Sequence, residues 1–142
     1  MEKRAVLFVD DEEKILRSIE RCLLDEPYNK YYAKSGQEAI EILKREEVHV
    51  IVVDMFMPEM DGLELLKIVK KRYPNIINMV LSGYAQPVKT MMAMYEVGIY
   101  RFISKPWTYD EDFRAIIRRA IDDYHLQNEH EDIVAGSESC LK

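Results

Sequence analysis

Five polar positions stand where short apolar runs give way to turn-forming sequence: Asp10, Asp11, Asp54, Ser82 and Lys105. Brought together, they would offer three carboxylates, a hydroxyl and an ammonium to one small volume. Three carboxylates at close range repel one another, and one lysine cannot offset them. A hard divalent cation with oxygen ligands, Mg²⁺ in the usual case, is the natural complement. The plain alternative for Asp10-Asp11 is a cap on the following helix, which itself begins with acids. Asp54, Ser82 and Lys105 in register at other strand ends weigh against that alternative.

Whether these groups meet depends on the elements that carry them. Ala5 to Val9 is almost continuously apolar and rich in strand formers; Ile15, Ile19, Cys22 and Leu23 then recur at helical spacing until Pro27. Tyr28 to Ala33 is more polar and predicts an edge strand, and Ser35-Gly-Gln-Glu38 is a capping box for a helix running to about Glu47. Val48 to Val53 is a second near-continuous apolar run, followed by turn chemistry through Gly62 and a helix from about Leu63 to Tyr73. Ile76 to Leu81 predicts a buried strand, and a fourth helix starts near Pro87, with Val88, Met91, Met92 and Tyr95 on one face. Arg101 to Ser104 predicts the last strand, Thr108-Tyr-Asp-Glu111 a second capping box, and Phe113 to Tyr124 a clean helical stripe.

Strands apolar on both faces, alternating with amphipathic helices, require an α/β fold: a parallel sheet covered by helices on both faces. For five such units with right-handed crossovers, the common answer is a flavodoxin-like doubly wound sheet of order 2-1-3-4-5. In that order the chain reverses direction between the first and third strands, and ligands bind outside the carboxyl ends there. Asp10-Asp11 and Asp54 end those two strands, and Ser82 and Lys105 end the next two. The organisation expected is one domain over residues 1–125, then a linker or disordered tail over 126–142.

Composition bounds the function. The chain has 142 residues, 48% hydrophobic and 32% charged, with 26 acidic against 20 basic side chains and a net charge of −6. An acidic balance argues against direct nucleic-acid binding by this domain, since no basic excess exists to neutralise phosphates. No stretch approaches the roughly 20 apolar residues of a membrane span. Ala5 to Val9 is too short for a signal peptide, so a cytoplasmic protein is expected, with Cys22 and Cys140 as free thiols.

Taken in order, Val9-Asp10-Asp11, Asp54-Met-Phe-Met-Pro58 with Asp61-Gly62, Leu81-Ser82-Gly83 and Lys105-Pro106 resemble the receiver domain of bacterial two-component response regulators, over roughly residues 4 to 125. The resemblance implies that Asp54 is the phosphoacceptor. It also implies that Asp10, Asp11, Asp54 and the backbone carbonyl of Phe56 bind Mg²⁺, with Lys105 and Ser82 meeting the phosphoryl oxygens. The donor would be a sensor histidine kinase or phosphotransfer protein. The chain would then be no turnover enzyme, but an acceptor that assists its own phosphorylation and dephosphorylation. Phe102 sits where the family has its rotating aromatic, and the surface of the fourth helix, fifth strand and fifth helix would carry the switch. That surface would control an output domain or serve a homodimer.

Ser82 replaces the commoner Thr, and Phe102 the commoner Tyr, so no phenolic hydroxyl reports the switch; Phe102 is either switch or core. Met91, Met92, Met94 and Tyr95 exceed what one buried face needs and serve the core or a partner. Arg101 to Trp107 resembles receivers attached to HD-GYP-type phosphodiesterase domains or to other regulatory modules. Phe56 and Tyr84 either cover the phosphoryl group or pack away from it. Two rivals fit less well. A haloacid-dehalogenase-type phosphatase needs an acid where Phe56 stands, and a pseudo-receiver usually lacks an acid or the lysine.

Overall fold

The computed structural model describes residues 4–82, 92, 95–104 and 113–127. The strands are β1 (Ala5–Val9), β2 (Asn29–Ala33), β3 (Val50–Asp54), β4 (Ile77–Ser82) and β5 (Arg101–Ser104). Between them run α1 (Glu13–Cys22), α2 (Gly36–Arg45) and α3 (Gly62–Arg72). Residues 95–97 and 113–127 are also helical.

All pairings are parallel, and the sheet has the order β2-β1-β3-β4-β5, as the apolar pattern predicts. Every residue of β1 and β3 is buried, whereas edge strand β2 is largely exposed or half-buried. Alternate side chains feed two separate layers. Leu7, Val9, Ile51 and Val53 pack with Ala39, Ile40, Leu43, Leu65, Leu66 and Val69 of α2 and α3. Val6, Phe8, Val50 and Val52 pack with Leu16 and Ile19 of α1 and with Phe113, Ile117 and Ala120 of the C-terminal helix. Phe8 lies at the centre of that second layer, stacked on Tyr32 at 5.6 Å and tilted against Phe113 at 6.3 Å.

Local chemistry sets the helix starts. Ser35 accepts from Glu38 N at 3.0 Å, and Asp61 caps α3 by accepting from Glu64 N at 2.9 Å. The third strand differs from its apolar run at both ends. Val48 and His49 precede it: the His49 backbone N–H donates to Ala5 O, but Ala5 N donates to the His49 ring Nδ1 at 2.9 Å rather than to a strand carbonyl. At the other end β3 takes in Asp54, which pairs with Leu81. Of the expected fourth-helix face, Met92 and Tyr95 are exposed and Val88 lies outside the described residues; Val97, not part of that face, is buried against the α2–α3 layer. Met91, Met94 and the second capping box lie outside the described residues. Among those described, no helix is long and apolar enough to cross a membrane.

Candidate phosphoryl-accepting site

The carboxyl end of β1 delivers Asp10 and Asp11, and the end of β3 delivers Asp54. Because β1 and β3 are neighbours in register, from Val6 opposite Val50 to Val9 opposite Val53, their ends fall side by side. One carboxylate oxygen from each of Asp10, Asp11 and Asp54 lies within 4.8 Å of the other two. Asp10 is fully buried and Asp54 nearly so, while Asp11 is exposed. The site is therefore a shallow acidic rim with two of its carboxylates embedded in the fold.

Backbone donors orient two of them. Glu12 N donates to Asp10 Oδ1 at 2.9 Å ahead of α1, but no side chain caps that helix at its N-cap residue Glu12, so Asp10 faces the other acids rather than serving as the cap. Phe56 N donates to Asp54 Oδ1 at 3.5 Å, the outer limit of such a bond. Phe56 itself is 38% exposed, a large ring open to solvent two residues past Asp54.

The donor set fits Mg²⁺. All three groups are hard oxygen ligands, and oxygens within 4.8 Å of one another are close enough for one cation to bind all three. Asp10, Asp11 and Asp54 are the groups that would hold it, with a backbone carbonyl and water completing the shell.

The remaining expected groups are placed only in part. Ser82 closes β4, opposite Ser104 of β5 and one residue past the Leu81 that pairs with Asp54. Lys105 follows β5 in the chain and, with Tyr84, lies outside the described residues. Phe102 is half-buried and packs against the α2–α3 layer, paired across the sheet with Val80.

The model of the response regulator receiver domain matches residues 6–118, most of the chain. The chain belongs to that family. This receiver domain is 37% identical over 124 residues to the hydrogenase transcriptional regulatory protein HoxA of Cupriavidus necator, covering 87% of the chain and 25% of that relative. Among solved structures it resembles the signal receiver domain of an HD domain-containing protein from Pseudomonas fluorescens Pf-5, with a TM-score of 0.84, 30% identity, and coverage of 87% of this chain and 98% of that one. A CheY-like receiver domain protein from Methanospirillum hungatei matches with a TM-score of 0.81 and 25% identity, over 89% of this chain and 99% of its own. The chain spans about a quarter of the length of the curated relatives it matches.

Sequence reasoning found the acids but missed what surrounds them. A Cβ on Gly62 would stand 2.4 Å from Asp54 O, so only glycine lets α3 begin against the Asp54 peptide. The Asp-Gly pair marked a turn, and nothing local revealed the close approach.

Proposed function

We propose that the domain is a phosphorylation switch of a two-component system, in which Asp54 accepts a phosphoryl group from a phosphohistidine on a sensor histidine kinase or phosphotransfer protein. One Asp54 carboxylate oxygen attacks phosphorus, an O–P bond forms, the N–P bond breaks, and the imidazole leaves with the electron pair. Mg²⁺, when bound, neutralises phosphoryl oxygens during transfer. Asp10 and Asp11 hold that charge in place, Lys105 pairs with a phosphoryl oxygen, and Ser82 donates a hydrogen bond to another. The chain turns over no external substrate. Its acyl phosphate is hydrolysed back to the carboxylate.

What carries this reading is the convergence of Asp10, Asp11 and Asp54 within 4.8 Å at the reversal point of the sheet. The added charge at Asp54 draws Ser82 inward and lets Phe102 follow, which alters the surface of the fourth helix, β5 and the C-terminal helix. Exposed Met92 and Tyr95 place apolar area on that surface for a second copy or an output domain. The output module is a transcriptional regulator, as the name of the Cupriavidus relative suggests, or an HD-type domain, as the Pseudomonas structure suggests. The setting is the cytoplasm, where the kinase's ATP is found. The last helix continues through residue 127, past the boundary expected at 125, and the expected linker or tail would begin beyond it.

Incubation with acetyl phosphate and Mg²⁺, followed by intact mass, tests the reading. One added phosphoryl group, absent from Asp54→Asn, is expected. No addition to the wild type would make the domain a pseudo-receiver.

A further inference from the structure

Between β3 and α3 the chain makes a closed loop that carries the Phe56 peptide beside Asp54. Its base is pinned by Gly62 N, which donates to Met55 O at 3.0 Å. Gly62 sits hard against the acceptor's peptide, 2.4 Å from Asp54 O and 2.8 Å from Met55 Cα for any added Cβ. At the tip Glu59 turns the chain with φ +67°, a left-handed conformation unusual for a residue with a side chain. Met60 then returns to the protein and packs against the α2–α3 layer.

Met60 lands on Gly36, the first residue of α2. A Cβ on Gly36 would meet Met60 Sδ at 2.6 Å, Cγ at 3.0 Å and Cβ at 3.2 Å, so the side chain lies along the bare α-carbon. Gly36 has no conformational reason to be glycine. Among the described glycines Gly98 is the one with positive φ, and glycine is a poor helix former. Its missing side chain serves Met60. The loop is thus held at its base by Gly62 and past its tip by Gly36, and the Phe56 N–H reaches Asp54 Oδ1 only at 3.5 Å. A shift of a few tenths of an ångström makes or breaks that bond.

We infer that Met60, seated on Gly36, is the positioning residue of this loop, through which α2 sets the placement of the Phe56 peptide against the Asp54 carboxylate. The consequence for metal and phosphoryl binding rests on the function proposed above; the positioning itself does not. Hydrogen exchange of the metal-free protein reads it directly. Gly36→Ala should speed exchange of the Phe56 and Gly62 amides about tenfold, leaving β1 amides unchanged. Mg²⁺ affinity should fall by about tenfold, with acetyl-phosphate labelling slowed in parallel.

Adding Met60→Ala to Gly36→Ala should loosen the loop no further than either change alone, because each removes the same contact. Two independent effects, such as helix propensity at Gly36 and lost packing at Met60, would add instead. Should Gly36→Ala fail to fold, the comparison of Met60→Ala, expected to loosen the loop, with volume-conserving Met60→Leu, expected to hold it, decides the matter. Wild-type loop exchange in both Gly36→Ala and Met60→Ala would overturn the inference. Failure of the wild type to take a phosphoryl group would overturn the acceptor role instead, and the exchange result would still stand or fall by itself.

Discussion

At the amino ends of the strands acids and bases meet as complements, whereas at the carboxyl ends three acids crowd one another. Glu26, just before β2, is a carboxylate only 4% exposed, and Arg118 of the C-terminal helix grips both its oxygens at 2.7 Å. Arg4 reaches His125 Nδ1 at 2.9 Å and lies over the Tyr124 ring at 5.3 Å. His49 meets the same ring edge-on at 4.9 Å, with its Nε2 3.4 Å from Glu47. These contacts tie the C-terminal helix to the start of the sheet. A buried acid is tolerated there because the fold supplies its cation. Asp10 and Asp54 are also buried, and at the opposite rim they lie within 4.8 Å of each other and of Asp11. Among the described residues, acids gathered at one rim and paired ions at the other distinguish the end at which a cation can be held.

The largest effect that could break this contrast is at Asp54. Asp54→Asn should abolish labelling by acetyl phosphate and, in metal-free buffer, raise the melting temperature by relieving repulsion. Mass and calorimetry check both; a lower melting temperature would make Asp54 a structural acid like Glu26. Next come the metal-holding acids. Asp11→Ala should weaken Mg²⁺ binding by at least about tenfold, and by more than Asp10→Ala, because one Asp10 oxygen already accepts from Glu12 N. Trp107 fluorescence follows the titration, and equal affinity in wild type and Asp11→Ala would remove Asp11 from the site.

The lifetime of the phosphorylated state sharpens the comparison further. Neither Phe56 nor Tyr84 orients an attacking water as a carboxylate or amide would, and both are bulky enough to cover the phosphoryl group, so the acyl phosphate should last many minutes. Phe56→Asn with Tyr84→Glu should speed its decay by about tenfold, or about 1.4 kcal/mol of barrier. Unchanged decay, followed by loss of the added mass, would show that the rings do not shield phosphorus.

At the amino end the expected effects are on stability alone. Arg118→Met strands the buried Glu26 carboxylate and should lower the melting temperature by several degrees, with labelling retained. Smaller still is a pH effect. Burial above all, with Arg4 adding and Glu47 opposing, holds His49 below the ordinary imidazole value of 6.5. The unfolded chain then binds the extra proton first, so this stability is present above about pH 6.5 and drains away as pH falls toward the depressed native value. Urea titrations from pH 7.5 to 5 should show that slope, flattened in His49→Gln.

The strand order, both helical layers and the three rim acids were legible in the chain, because each rests on local information. Apolar runs of strand length and helical periodicity specify which faces must be buried, and parallel βα units leave few ways to bury them. Once the order is set, the last residues of neighbouring strands fall together, so Asp10, Asp11 and Asp54 could be placed without coordinates. The tertiary structure alone decided what depends on two distant residues meeting. Glu26 and Arg118 lie 92 positions apart, and Ala5 and His49 lie 44 apart. Nothing in the pattern around either member names its partner. The same holds for Gly36 under Met60 and Gly62 against Asp54, since a missing side chain leaves no periodic trace, and what it makes room for appears only when the backbone is packed.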